Sequence, residues 1–503
     1  MLASSREEAP THTVRRLPLL ALVLLPLLAT PAADAAGLPA DVQRITYRYP
    51  IDLKPGTNLI RINLGAPKPR IPGYVVRIKP DLTRRDGSIP PTDKIHLHHA
   101  VWLSTRAPSI NPHAGTAGAE IFFATGEEKT IMTIPRPYGY PVKPSDTWVL
   151  NDMIHDLTNR GMRLYITYTV DFVAATSALG RRLKPVTPVW TDVENSAYPV
   201  FDVLRGSGSN GRFTYPNMQP GAYAGREKLN EFALPRSGTL VAFGGHVHPG
   251  GLWTDLFLRR DGRSTRIFRS EARYFGNRPP VSWDLGMTVT PRDWRVRVRR
   301  GDVLRVNATY DTRHASWYES MGIMFGFIAQ DATGKNPFTQ RIATRGRPSH
   351  GHLPENDNFG GRNTGIPDPT RLPSGATPDG SVPIANFRYR YGDLNGFGAQ
   401  RNPPTVPAGS SLEFVNKDSD ANVFHTVTGC KAPCNRTTGI GYPLANGTIF
   451  DSGNLGFGPS GFTAATNRNT WKTPTNLTPG TYAYLCRVHP YMRGAFRVVP
   501  IRG

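Results

Sequence analysis

Apolar and polar residues alternate in short runs along the chain, and no long stretch repeats at the 3.6-residue period of an amphipathic helix. β-Branched and aromatic residues interleave with polar ones over 58–64, 74–78, 95–104, 164–172, 240–248, 252–258 and 294–310, and each run predicts a strand. The pattern lapses over 334–383, where "PENDNFGGRNTGIPDPTRLPSGATPDG" carries turn formers without apolar periodicity and reads as a flexible linker. A fresh strand pattern opens at "PPTVPAGSSLEFVNKD". The expectation is an all-β protein with β-sandwich domains at 37–180 and 181–333, the linker at 334–383, and a third domain at 384–503. The first boundary rests only on the Pro-punctuated stretch 181–199.

Residues 1–36 read as an export signal. Arg15 and Arg16 precede the apolar run 17–29, and Ala33-Asp34-Ala35 offers a small-residue cleavage site. That run holds Pro18 and Pro26 and is too short to span a bilayer. The arginine pair leaves both the general and the twin-arginine export routes open. No later stretch is apolar enough to cross a membrane, so a secreted or extracytoplasmic protein with no membrane span is expected.

Composition narrows the class further. A chain of 503 residues allows roughly three domains of about 150 residues each. Its 50 Gly and 47 Pro suit a turn-rich β protein and exclude a coiled coil. The 60 Lys and Arg against 38 Asp and Glu give a net charge of +22. That excess is spread as single arginines without a dense basic helix, so no nucleic-acid partner is expected. There are three cysteines, Cys430, Cys434 and Cys486, all late in the chain, which excludes a disulfide-stapled fold for most of it.

The run "YLCRVHPYMRGAFRV" sets Cys486, His489 and Met492 at C-x2-H-x2-M spacing, and His425 lies upstream in "NVFHTVTGC". A type 1 copper needs two imidazoles and a thiolate in a plane with a weak axial thioether, and these four residues supply that set. They resemble the cupredoxins, and the tight loop "CRVHPYMRG" looks most like amicyanin among the plastocyanin relatives. The resemblance implies a Greek-key β-sandwich over 384–503, a blue copper on His425, Cys486, His489 and Met492, and electron transfer. Leu485 and Arg487 flank the cysteine where multicopper oxidases and nitrite reductases carry histidines, which counts against both. The absence of a second loop cysteine excludes a binuclear copper centre like that of cytochrome oxidase. Cys430 and Cys434 are left as a local disulfide or an accessory metal pair.

Further histidines cluster upstream: His96, His98 and His99 in "KIHLHHAVWLS", His155 in "LNDMIHDL", and His246 and His248 in "FGGHVHPGG", with Met321 in "SWYESMGIMFGF". His246 and His248 are two apart, so on a strand they face one side and can chelate one ion. Adjacent His98 and His99 face opposite ways on a regular strand and can share a metal only where it bends or ends. The order HH, H, HxH, M resembles the copper type II, ascorbate-dependent monooxygenases, which include peptidylglycine α-hydroxylating monooxygenase and dopamine β-monooxygenase.

That resemblance implies two jelly-roll-like β-sandwiches over 40–333. It implies His98, His99 and His155 as ligands of an electron-transfer copper, and His246, His248 and Met321 as the catalytic ligands of an oxygen-activating copper. His96, His113, His314, His350 and His352 are expected at the surface or in support. Together the two resemblances imply three coppers, an external electron donor (a small reductant or a redox protein), O2, and an unknown small-molecule or peptide substrate. The chain also departs from the animal enzymes. It has no cysteine before Cys430, Gly244 replaces an arginine that grips the substrate carboxylate, and Phe325 replaces a substrate-contacting tyrosine. Peptide amidation is therefore not expected. A non-enzymatic, secreted copper electron-transfer protein on an inactive scaffold stands as the alternative.

Overall fold

The computed structural model describes residues 37–501 except 56–59, 93, 115–117, 157, 159, 195–198, 204, 220–229, 277–279, 281, 315–316, 357–365, 420–422, 424, 431–448, 454, 457–468, 487–488 and 490–491. The expected export signal and Cys434 lie outside the described residues. Strands take 51% of the chain and helical turns 4%, so the protein is all-β, as its alternating pattern requires. Among the described residues no helix is long and apolar enough to cross a membrane.

The first sandwich sets two sheets face to face. One runs Ile60–Ala66, Trp148–Asp156, Ile95–Ser104, Glu120–Gly126. The other pairs Gln43–Leu53 with Met162–Ala174 and that strand with Gly73–Thr83, all antiparallel. Met162–Ala174 shows why: Leu164, Ile166 and Tyr168 are buried while Tyr165, Thr167 and Thr169 between and after them are not, so over 164–169 every second side chain enters the core. Trp102, wholly buried, joins the sheets, with its ring 5.3 Å from both Phe123 and Tyr168.

Lys184–Asp192 carries the sheet into the second half. It pairs in parallel with Tyr138–Val142 and antiparallel with Ile323–Ala329. The order continues through Gly238–His246, Leu285–Val289, Arg263–Tyr274, Gly251–Arg260 and Val303–Asp311. The stretch 294–310, expected as one strand, is two: Val296–Val298 and Val303–Asp311. A turn parts them, with Gly301 at φ +85° and the Asp302 carboxylate accepting the Arg299 N–H at 2.7 Å.

The segment expected as a linker is engaged at both ends. Arg347–Pro348 pairs with Leu285–Val289, the Glu355 carboxylate meets Lys129 Nζ at 2.9 Å, and Asn356 Nδ2 donates to the Trp283 carbonyl at 3.0 Å. Beyond it, the Arg497 guanidinium donates to the carbonyls of Pro369 and Leu372 at 3.2 and 2.9 Å. The C-terminal part has two small sheets. One is Ser381–Ile384, Glu413–Asn416 and Thr470–Lys472, and the other is Thr405–Pro407, Arg493–Val499, Gly480–Leu485 and Thr428–Cys430. Its core includes Phe414, Tyr484 and Phe496, with Cys486 and Met492 beside them.

Trp102→Ala should remove the ring that ties both sheets of the first sandwich and cost ~3–5 kcal/mol, read by urea unfolding. A loss below about 1 kcal/mol would show that the sheets are held elsewhere.

Candidate metal centres

In the C-terminal part a thiol and two imidazoles converge. Cys486 Sγ lies 3.8 Å from His425 Nδ1 and 3.7 Å from His489 Nδ1, and all three residues are fully buried. Met492 is 2% exposed and follows on the same loop. The geometry is fixed from behind: Asp418 lies 2.9 Å from His425 Nε2, and the backbone N–H groups of Thr426 and His489 both point at Sγ at 3.4 Å. Burial alone would push the Cys486 thiol up, but the hydrogen bonds and charge of His425 and His489 outweigh it and hold it well below the usual range. The shift favours the thiolate, the form that binds metal. His425 and His489 present Nδ1 to it, and Phe387 covers both rings edge-on. Cys430 is buried on the strand beside Leu485.

The upstream histidines form one buried nest. His98 stacks on His155 at 4.2 Å, lies 4.2 Å from His248, and sits 5.8 Å from His99. His96 is 5.0 Å from His155, and His246 is 4.9 Å from His248. Two strand irregularities aim these rings. Ile95–Ser104 slips against Trp148–Asp156 between Leu97 and His99, so His98 is the extra residue of a bulge. Gly238–His246 slips between Val241 and Gly244, where Ala242 takes φ +52°. The first bulge is the bend that lets neighbouring histidines both turn inward.

Ligand atoms of His96, His98 and His155 all lie within 4.8 Å of one another. The resemblance implied His99 in the place that His96 takes. His99 instead lines a small pocket with His246 and Met321, walled by Val101, Ala124, Trp190, Pro199 and Ile323. His96, expected at the surface or in support, is 2% exposed and its ring packs 4.2 Å from Trp283. His113, His314 and His352 are exposed, as expected, and His350 is half-buried with Nε2 donating to the Glu128 carbonyl.

Four of the six imidazoles are pushed toward the neutral form, and the nest is oriented by hydrogen bonds. Burial pushes His96 and His99 down to about 4, and burial with the neighbouring imidazoles drives His98 and His155 well below 6.5. His489 is among the groups acting on His155, which brings the thiolate site within electrostatic reach of the nest. His96 Nδ1 donates to the Thr92 carbonyl at 2.7 Å, and His246 Nδ1 donates to Glu128 Oε2 at 2.9 Å. The Nε2 atoms of His96, His155 and His246 are buried without a hydrogen-bond partner, and those of His96 and His246 keep a lone pair for a metal. Glu128, which burial would raise, is held down by His246 and by nearby backbone N–H groups. Tyr310 spans the catalytic candidates: its hydroxyl accepts the N–H of His248 and of Met321 at 3.0 and 3.1 Å, and donates to the Met321 carbonyl at 2.8 Å.

Sequence reading missed Glu127, Glu128 and Tyr310. Two adjacent acids closing the apolar run "EIFFATGEE" were the available signal for the first pair. Nothing marked Tyr310, whose role depends on where two distant segments meet. At Gly244 a Cβ would lie 3.1 Å from Met132 Cε and 3.3 Å from Val289 Cγ1, so a larger residue needs those side chains to give by a few tenths of an ångström.

No family model matches the sequence, and no curated protein does. Among solved structures, a copper(I) form of amicyanin is 20% identical over 27% of this chain and 98% of its own, at a TM-score of 0.15. A purple cupredoxin from Nitrosopumilus maritimus is 20% identical over 24% of this chain and 100% of its own, also at 0.15. A copper-containing nitrite reductase from Thermus scotoductus is 14% identical over 51% of this chain and 54% of its own, at 0.15. Likenesses at that score decide nothing about this chain, whose chemistry rests on its own side chains.

Tyr310→Phe should weaken copper binding by the nest about 10–100-fold in a chelator competition, because His248 and Met321 lose a shared anchor. Unchanged affinity would show that the loops hold themselves.

The metal-free protein should also lose stability as pH falls from about 6.5 to about 4. Over that window the unfolded chain protonates His96 and His99 while the folded nest keeps them neutral. The loss should be ~3 kcal/mol per histidine and level off at lower pH for these two groups. Urea unfolding at stepped pH checks it, and a flat profile across that window would refute the buried neutral nest.

Proposed function

We propose that this chain is a secreted, extracytoplasmic copper oxidoreductase that hydroxylates a C–H bond with O2, supplied with electrons through a type 1 copper in its C-terminal part. One observation carries the reading: a thiol–imidazole site and a nest of six histidines, five of them buried and His155 half-buried, opening on a largely apolar pocket, occur in one chain. The donors suit copper, since thiolate with two imidazoles and a thioether matches a blue site, and imidazole with thioether suits a metal cycling between Cu(I) and Cu(II).

His425, Cys486, His489 and Met492 would hold the first copper, with Asp418 fixing His425. In the nest His98 and His155, joined by His96 or His99, would hold a second, and His246, His248 and Met321 a third. Bound there, copper supplies one-electron and O2 chemistry. The overall step balances as RH + O2 + 2e⁻ + 2H⁺ → ROH + H2O, with both electrons coming from an external donor. Val101, Ala124, Trp190, Pro199 and Ile323 present an apolar wall beside Thr125 and Asn151, with only imidazoles as ionisable groups, so the favoured substrate is uncharged. The non-enzymatic reading keeps the metals and drops the turnover.

Copper-loaded protein should hold three coppers per chain, with an intense blue band that Cys486→Ser abolishes. Reduced, it should consume O2 in the presence of apolar substrates faster than the same amount of free copper. One copper per chain would overturn the nest as a metal centre. Three coppers without O2 uptake would leave the electron-transfer reading in its place.

A further inference from the structure

Glu127 sits between the two halves of the histidine nest. Its Oε1 is 3.0 Å from His98 Nδ1 and 3.9 Å from His96 Nε2, and its side chain is 2% exposed. Its carboxylate belongs to two overlapping donor groups. One is with His98 and His248, the other with Glu128 and His246, and each has all its ligand atoms within 4.8 Å. His98 in turn belongs to the group with His96 and His155. Donor atoms therefore run without a gap from one half of the nest to the other, and Glu127 is the anionic member common to both.

The charge balance points the same way. Glu128 is ionised and already committed to His246, the Gly126 N–H and the Thr130 hydroxyl. Lys129, next in sequence, is held by Asp81 and Glu355 at 2.9 Å each. Burying carboxylates in such a place is costly unless a cation joins them. The buried Nε2 atoms of His96, His155 and His246, each without a hydrogen-bond partner, are further donors for such a cation.

Resting on the copper reading above, we propose that Glu127 is itself a metal ligand bridging the two halves of the nest, so that its two coppers bind as a carboxylate-linked pair. Each half keeps its imidazoles, and the carboxylate gives one oxygen to each metal. Exchange through the bridge couples the two Cu(II) spins.

The test uses the full chain carrying Cys486→Ser, which removes the blue signal, loaded with Cu(II) and fully oxidised. Metal analysis should give two coppers per chain. The electron-paramagnetic spectrum should show a half-field signal or a spin count below the metal count. Adding Glu127→Gln should restore one spin per copper or lose one copper, with far-UV circular dichroism confirming the fold. If that variant does not fold, the spin count of the protein with Glu127 intact decides alone. Two coppers with two independent spins would overturn the bridge and leave Glu127 as an orienting partner of His98, as Glu128 is of His246. No copper beyond the type 1 site would overturn the functional reading itself, so the two failures are told apart.

Discussion

The nest depends on one extra residue. Had Ile95–Ser104 paired in regular register with Trp148–Asp156, His98 and His99 would project to opposite faces, and only one could reach the space between the sandwich halves. Because His98 is the bulged residue, it turns toward His155 and His248 while His99 turns toward Asn151 and Met321. The second bulge, before His246, makes the matching adjustment from the other half. Neither strand could carry these side chains into one cavity by alternation alone.

Burial sets the second constraint. Imidazoles and carboxylates deep in an all-β core are tolerated only when each is neutral, paired or coordinated. The structure meets this from several directions at once, with Thr92 on His96, Asn151 on His99, Glu128 on His246, and Tyr310 across His248 and Met321. Room is equally tight: a Cβ at Gly126 would lie 2.5 Å from His246 Cε1, so that turn requires glycine to let the backbone approach. These supports come from every part of residues 90–330, which ties metal chemistry to the completeness of the fold.

What was legible in the sequence follows from how local each signal is. The alternation over 95–104 names the observed strand to the residue, and the C-x2-H-x2-M loop places three of the four thiolate-site residues within one turn of chain. Pattern fails where partners come from afar. The break inside 294–310 falls at the polar run Arg299-Arg300-Gly301-Asp302, a turn signal set between two apolar alternations that read as one strand. The exchange of His96 for His99 beside His98 and His155 depends on a slip in register that no composition reveals. Glu127 and Glu128 carry no sequence signal of burial, because their partners His98, His246 and His350 come from distant segments.

The segment before the C-terminal sandwich has a kinetic consequence. Glu355 and Asn356 are fastened beside the nest, and Pro369 is fastened under the last strand. Only thirteen chain steps separate Asn356 from Pro369, which when fully extended reach roughly 45 Å. The thiolate site is therefore presented to the nest at an effective concentration set by the length of the tether, whatever the amount of protein in solution. Under the proposed function, exchange between the two centres would be first order in protein, and dilution would not slow it.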